Sequence, residues 1–400
     1  MTSKELKATV EMTVLGMISG TSYDAIDAAV ADLTLDDDTV LLRPRGLHSA
    51  PIPDALRARI AACLPPGETT VEEVCRLDTE LGQLFGSVAA DAIASLAPGG
   101  ADLVSSHGQT FFHWVRGDRA LGTLQLGAPA WIAEATQTMV VSDLRSRDVA
   151  RGGHGAPLAS TLDALLLLGD DDVNRGALNL GGIANITVRG DSGTIVAYDI
   201  GPAGALIDAA VSELTGGRER MDTDGARAAR GAVDRDALAR LLDEDYYRLA
   251  PPKSTGKELF NGAYLRTRLG DGRPRGDDLL ATLTELTAHL VAGAAAAHRI
   301  DELVVAGGGV RNPVLMNRIA ALAAPATVRE LEEFGMPAQA KEAYLFALLG
   351  YLAAHGLEGT IASATGAGRG SILGSLTPGA GPIALPRAAS VAPRRLRIVT

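Results

Sequence analysis

Leu15-Gly16-Met17-Ile18-Ser19-Gly20-Thr21-Ser22-Tyr23-Asp24-Ala25-Ile26-Asp27 is the stretch on which the reading of the fold turns. It begins as an apolar run, bends on Ser19-Gly20-Thr21-Ser22, and presents two acidic residues three apart before Ala28-Ala29-Val30. Short, donor-rich residues between two strand-like runs suit a hairpin whose tip faces a phosphate. Backbone N–H groups and small hydroxyls can approach phosphate oxygens, while a carboxylate can hold the accompanying Mg2+ through water. Alone, the same residues also make an ordinary hairpin turn. Similar loops farther along the chain give the phosphate reading its weight.

The chain has 400 residues, enough for two or three domains and a large core. Apolar residues make up 46% and charged residues 21%, the balance of an ordinary globular protein. A net charge of −11 argues against broad electrostatic binding to nucleic acid or to an anionic membrane surface. Cys63 and Cys75 offer neither a disulfide framework nor metal-site spacing, so a reduced, structural role is expected. Met1 to Glu11 mixes Lys4, Glu5, Lys7 and Glu11, and the apolar stretch after it is soon broken by Gly and Asp. It is too short for a signal peptide or a membrane span, and a cytoplasmic location is expected.

Thr13–Gly16, Ala28–Leu33 and Leu41–His48 read as successive strands, with Asp36-Asp37-Asp38 as a polar turn. Asp54–Cys63 and Val71–Leu96 read as helices, and Leu103–Ser105 as a short buried strand ending on a polar loop. A second set of strands is expected at Ala177–Leu180, Asn185–Val188, Thr194–Asp199 and Leu303–Ala306. Helical spacing marks Leu206–Leu214 and Leu279–His298. Strands then helices, given twice, predict an α/β protein of two related halves with a cleft between them. No sequence repeat accompanies that pattern.

Several Gly-rich polar segments at strand ends could carry chemistry. In Ser106-His107-Gly108-Gln109-Thr110, His107 and Gln109 can donate to a polar ligand, although by itself the segment reads first as a polar turn. Asp143-Leu144-Arg145-Ser146-Arg147-Asp148 and Arg151-Gly152-Gly153-His154-Gly155-Ala156-Pro157 set three arginines and two carboxylates beside a Gly loop, as a substrate loop would. Gly181-Gly182, between Asn179 and Asn185, make a second candidate phosphate hairpin, although such turns are common. Asp199, before Ile200-Gly201-Pro202, stands where a general base is placed, and equally where a turn-forming Asp would stand. Lys253-Ser254-Thr255-Gly256-Lys257-Glu258 lacks the first glycine and terminal hydroxyl of a Walker A loop. Gly307-Gly308-Gly309-Val310-Arg311-Asn312 follows a buried strand and leaves room for a flat ring such as adenine. No His-Glu-x-x-His and no Gly-x-Ser-x-Gly motif occurs, which disfavours protein-ligated metal catalysis and serine hydrolysis. The remaining set points to phosphoryl transfer from ATP to a small polar molecule.

On these residues the chain resembles the anhydro-N-acetylmuramic acid kinases, bacterial cell-wall recycling enzymes of the sugar kinase/Hsp70/actin superfamily. The matching stretches are Gly16–Asp27, Ser106–Thr110, Thr123–Pro129, Val141–Pro157, Asn179–Thr187, Asp199–Asp208, Asp222–Gly231, Pro251–Asn261 and Gly307–Met316. The resemblance implies an actin-like (ribonuclease H-like) two-domain α/β fold with ATP in the interdomain cleft. The division expected is 12–130 plus about 350–385, then 131–349, with 386–400 as a flexible tail. It implies hydrolysis of the 1,6-anhydro bridge of anhydro-N-acetylmuramic acid with phosphorylation of O6, giving N-acetylmuramic acid 6-phosphate. By similarity Asp199 is the catalytic base, and Glu342, Arg147 and Asp148 hold the sugar, with His107 and Gln109 beside them. Gly20, Thr21, Ser22, Tyr23, Asp24, Ala25, Ile26 and Asp27 form the phosphate hairpin, with Asp24 on Mg2+ through water. Gly181, Gly182 and Asn185 form the second hairpin, and Gly307, Gly308, Gly309 and Asn312 the nucleotide loop. The resemblance also allows a homodimer.

The chain departs from the family pattern at four places. Family members usually read Ser-Leu-Asp-Gly where Ser22-Tyr23-Asp24-Ala25 stands, so Ala25 adds a methyl where close approach or a positive φ is expected. They read Asp-Thr-Gly-Pro-Gly-Asn where Asp199-Ile200-Gly201-Pro202-Ala203-Gly204 stands, which removes hydrogen-bonding groups beside the base. They also carry Gly-Asp-Pro at Gly127-Ala128-Pro129, and an acidic residue near Gln339. Two other functions therefore stay open at this point: an ATP-dependent kinase of another sugar or amino sugar, and a nucleotide-gated sugar-binding protein with little turnover.

Overall fold

The computed structural model describes residues 11–64, 67–117, 119–169, 172–190, 192–251 and 253–400. The reading of Met1 to Glu11 lies outside these residues, apart from Glu11, as does Pro252 of the Pro251–Asn261 stretch. In chain order the strands are β1 (Glu11–Ser19), β2 (Ala25–Asp36), β3 (Thr39–Pro51), β4 (Leu103–Arg116), β5 (Arg119–Leu126), β6 (Val140–Ser142) and β7 (Arg175–Leu180). They continue with β8 (Ile183–Arg189), β9 (Ile195–Pro202), β10 (Glu302–Ala306), β11 (Thr327–Glu330), β12 (Ser375–Thr377) and β13 (Arg395–Ile398). The chain divides into two compact units, one running to Leu166 and resuming at Gly335, the other spanning Leu167–Phe334.

The first unit is built on the sheet order β12-β6-β4-β1-β2-β3-β13. β1, β2 and β3 form an antiparallel meander, and β4 and β6 then add in parallel. The second unit has the order β9-β8-β7-β10-β11, again a three-strand antiparallel meander followed by two parallel strands. The ribonuclease H-like strand order thus occurs once in each unit, and this makes the fold actin-like. The two related halves expected from element order are present as shared topology, without a sequence repeat.

Local chemistry explains the elements. Thr70 caps the helix Val71–Leu96, its side chain accepting from the Glu73 N–H, with Glu72 and Glu73 in the positive first turn. That helix buries Leu77, Leu81, Phe85 and Val88 against β1 and β2 residues Leu15, Met17, Ile26 and Val30. On the other face of this sheet the helix Lys341–Ala354 comes so close that a Cβ on Gly16 would fall on the backbone of Ala343 and Ala347. Gly16 is a packing requirement. In the second unit the helix Asp277–Ala297 is long and apolar enough to cross a membrane, but 67% of its apolar window is buried in the fold, with Leu280, Leu283 and Leu286 in a core cluster.

Three expectations are corrected here. The units divide after Leu166 and after Phe334, later than 130 and earlier than 349. The helix Lys341–Ala354 packs on β1, β2 and β4, which brings Glu342 into the first unit. The segment 386–400 ends in β13, parallel to β3 with Arg395 opposite Thr39 and Leu396 buried, because an apolar residue there completes the sheet edge. Ser106 to Thr110 is no loop: β4 continues to Arg116, since β1 and β5 both pair with it.

Candidate active site

The β1–β2 hairpin closes its last pair at Ser19 and Ile26, leaving Gly20 to Asp24 as the tip. The Tyr23 N–H donates to the Gly20 carbonyl at 3.0 Å. Tyr23, not Ala25, carries the positive φ, at +43°. Ala25 opens β2 and needs no glycine there. The Asp24 carboxylate accepts on Oδ1 from Ser22 Oγ at 2.6 Å and from the Ala25 N–H at 3.1 Å, and the side chain is exposed. One oxygen is therefore held while the other faces solvent, which fits a Mg2+ gripped through water. Among the described residues no cluster of three His, Cys, Asp or Glu side chains could form a direct metal cage.

Behind this tip lies a chain of buried polar groups. Ser19 Oγ donates to Gln109 Oε1 at 2.6 Å, and Gln109 Nε2 donates to the Thr110 carbonyl. His107 is buried, with Nδ1 2.9 Å from the Gly108 carbonyl and Nε2 accepting from Arg145 Nε at 2.8 Å. This pairing fixes the neutral tautomer with the proton on Nδ1. Burial, and then the charge of Arg145, pull His107 down to about 3. Arg145 Nη1 also donates to the Gly155 carbonyl at 2.6 Å. Burial lowers Arg145 to about 10, and the negative charge of Glu342 works the other way. Glu342 itself is reached by solvent yet crowded by protein atoms; desolvation raises its pKa, Lys341 and Arg145 lower it, and Asp27 raises it.

Asp148 takes a different place from the one its sequence position invites. It is fully buried, with Oδ2 accepting from the Gly155 N–H at 2.8 Å and Oδ1 from Thr365 Oγ1 at 2.9 Å. Both oxygens are engaged, so the carboxylate pins the Gly152–Gly155 loop to the helix Ala362–Thr365. Arg147, one residue earlier, is exposed. Of the five residues expected at the sugar, Arg147 and Glu342 are open to a ligand, while His107, Gln109 and Asp148 are committed to protein partners. Arg145 is the residue that sequence reading passed over: among three arginines nothing local marks the one that turns inward.

In the second unit Asp199 lies within β9, which runs past it to Pro202 and pairs it with Asn185 of β8. The Asp199 N–H donates to the Lys253 carbonyl at 3.1 Å, and the Thr255 N–H donates to Oδ2 at 2.9 Å. Tyr246 Oη donates to the Asp199 carbonyl at 2.7 Å. Among the described residues no donor reaches Oδ1. Burial raises the carboxyl to about 6, with the Thr255 N–H lowering it and the charge of Glu258 raising it. A second carboxylate, Asp208, is also pushed to about 6 by burial, with Lys257 opposing. It sits on the helix Gly204–Thr215, next to the Gly181–Gly182 turn, where the carbonyls of Gly181 and Gly182 accept the N–H groups of Ala203, Gly204 and Ala205. The first donors of that helix are thereby used up. The Lys257 side chain passes directly over Gly182. Asp208 and Lys257 were not singled out from the sequence, because a twenty-six-residue and a seventy-five-residue separation from Gly182 give no local cue.

The triple glycine follows β10 and packs on the end of β7. Gly307 has φ +92°, and a Cβ there would lie 2.6 Å from Asn179 Oδ1 and 2.7 Å from the Leu180 carbonyl. Gly308 has no such close neighbour. Asn312 caps the helix Pro313–Ala323, its Oδ1 accepting from the Leu315 N–H at 3.0 Å, so that oxygen is already in use.

Residues 12–379 match the family model described as anhydro-N-acetylmuramic acid kinase. The chain belongs to the anhydro-N-acetylmuramic acid kinase family. A relative of that name from Rhodococcus erythropolis is 53% identical over 397 residues, covering 97% of this chain and 99% of its own. Another from Streptomyces coelicolor is 53% identical over 389 residues, with the same coverage. The expectation of a phosphotransferase stands on this membership, as does the family resemblance drawn from the motifs.

Proposed function

We propose that the chain is an ATP-dependent kinase that hydrolyses the 1,6-anhydro bridge of anhydro-N-acetylmuramic acid and phosphorylates O6, giving N-acetylmuramic acid 6-phosphate for peptidoglycan recycling. The observation that carries the reading is Asp199, with one oxygen held by a backbone N–H, the other free, and an acidity weakened by burial. A carboxyl near pH 6 is ionised at neutral pH yet basic enough to take a proton from water. In this reading Oδ1 removes that proton as the water oxygen bonds to C1. The C1–O6 bond breaks, and O6 accepts the γ-phosphoryl group while ADP departs. The proton leaves Asp199 afterwards, which balances the cycle.

Arg147 and Glu342 are the residues best placed by exposure to touch the sugar, and Arg145 to orient Glu342 through its charge. His107, Gln109 and Asp148 act behind them, holding Arg145, Ser19 and the Gly loop. The tip Gly20–Asp24 and the Gly181–Gly182 turn offer backbone N–H groups to phosphates, with Lys257 supplying positive charge. Asp24 would hold Mg2+ through water, and the ion supplies charge neutralisation along the polyphosphate. Gly308, between its two packed neighbours, offers backbone to the adenine. We place the reaction in the cytoplasm, with the amino sugar and ATP as partners.

The test is mass spectrometry of the protein with Mg-ATP and the anhydro sugar in 18O-labelled water. A 6-phosphate product with label on the C1 hydroxyl is expected. Phosphorylation with the bridge intact would instead indicate a kinase of another sugar, and sugar binding without ATP consumption a binding protein.

A further inference from the structure

Lys253 carries a positive charge that no carboxylate pairs with among the described residues. Its Nζ donates to the Tyr246 carbonyl at 3.0 Å and the Tyr247 carbonyl at 3.3 Å. The ammonium also lies 4.6 Å from the Tyr246 ring centre and 5.9 Å from that of Tyr198. Burial lowers its pKa. A half-buried cation held by carbonyls and ring faces is costly to keep unless the contacts it makes are used. These contacts lead to one residue. Tyr246 Oη holds the Asp199 carbonyl, the Lys253 carbonyl holds the Asp199 N–H, and Thr255 two residues on holds Oδ2.

We propose that Lys253 is a positioning residue: it docks the Lys253–Thr255 stretch and Tyr246 on β9, which fixes Oδ2 of Asp199 on the Thr255 N–H and leaves Oδ1 as the working oxygen. The inference rests on the reading of Asp199 as the base. It goes beyond that reading in naming what selects the oxygen. With Lys253 removed, the Tyr246–Tyr247 carbonyls and the 253–255 backbone lose their common tie, and the carboxyl can rotate about its Cβ–Cγ bond. The groups facing the carboxyl are the Thr255 N–H, Glu258 and the Tyr246 hydroxyl. Of these the N–H favours the ionised form and Glu258 opposes it.

The experiment compares Lys253→Met, Lys253→Arg and Asp199→Asn in the full chain, reading kcat against pH and the KM for each substrate. For Lys253→Met, kcat should fall about tenfold to a hundredfold, the scale of a base displaced by about an ångström. Both KM values should stay within about twofold, because no contact to sugar or nucleotide is removed. The acid limb of the kcat profile should move to higher pH, since the loosened Thr255 N–H no longer favours the carboxylate. Lys253→Arg keeps a cation able to reach both carbonyls and should restore most of kcat and the original acid limb. A folded Lys253→Met with the wild-type acid limb would overturn the proposal, whatever its kcat, because a structural role alone lowers rate without moving that limb. Should Lys253→Met not fold, Thr255→Pro deletes the N–H directly and must move the acid limb the same way. Wild-type turnover in Asp199→Asn would remove the base reading itself, an outcome separate from both.

Discussion

Asp199→Asn should abolish turnover and make the second unit more stable, and the stability gain should depend on pH in a defined direction. In the folded protein burial raises this carboxyl from 3.8 to about 6. Between these values the folded chain binds a proton that the unfolded chain releases, so stability falls as pH rises through the window. Above pH 6 the carboxylate is ionised in both states and its full desolvation cost is present. Below 3.8 it is neutral in both and the cost is absent. The difference amounts to about 3 kcal/mol at pH 7–8, falls to roughly half of that at pH 5 and to a small fraction at pH 4, as upper values. Asparagine carries no charge and can still accept from the Thr255 N–H, so the variant should be stabilised by those amounts at each pH. Trp114 and Trp131 both belong to the first unit, so tryptophan fluorescence does not report on this event. Amide hydrogen exchange in β8 and β9 does, read at pH 5 and pH 7.5 against wild type with correction for intrinsic rates. Equal protection in variant and wild type at pH 7.5, or a gain that does not shrink at pH 5, would refute the argument that the carboxyl is desolvated at functional cost.

Lys257→Met should raise the KM for ATP roughly tenfold or more, from loss of one charge-assisted contact of about 1.5–3 kcal/mol, and leave the sugar KM near wild type; steady-state kinetics with each substrate varied checks it. Thr365→Val removes the donor to Asp148 Oδ1 and should weaken the first unit by about 2 kcal/mol in urea unfolding, with a higher sugar KM and little change in kcat, because the Gly152–Gly155 loop loses its anchor. Gly16→Ala drives a Cβ into the backbone of Ala343 and Ala347 and should cost about 3 kcal/mol in the same unfolding assay; a neutral result would mean that the helix Lys341–Ala354 can move off the sheet.

The sequence by itself determined the family, the α/β class and the location of the first hairpin. Those signals are local: alternating apolar strands, short donor-rich turns, and motifs in a fixed order. Helix ends such as Thr70 to Glu73 were legible for the same reason, since a cap and its helix are neighbours in the chain. Tertiary structure decided which of the marked side chains are free to act. His107 and Asp148 look like ligand groups in one dimension, and only folding supplies the Arg145 guanidinium and the Thr365 hydroxyl that occupy them. Asp199 is marked by position, but its acidity comes from burial and from the Thr255 N–H, fifty-six residues away. Lys253 and Lys257 follow the same rule. Desolvation and long-range hydrogen bonds depend on what folding brings near, and no spacing within a motif encodes them.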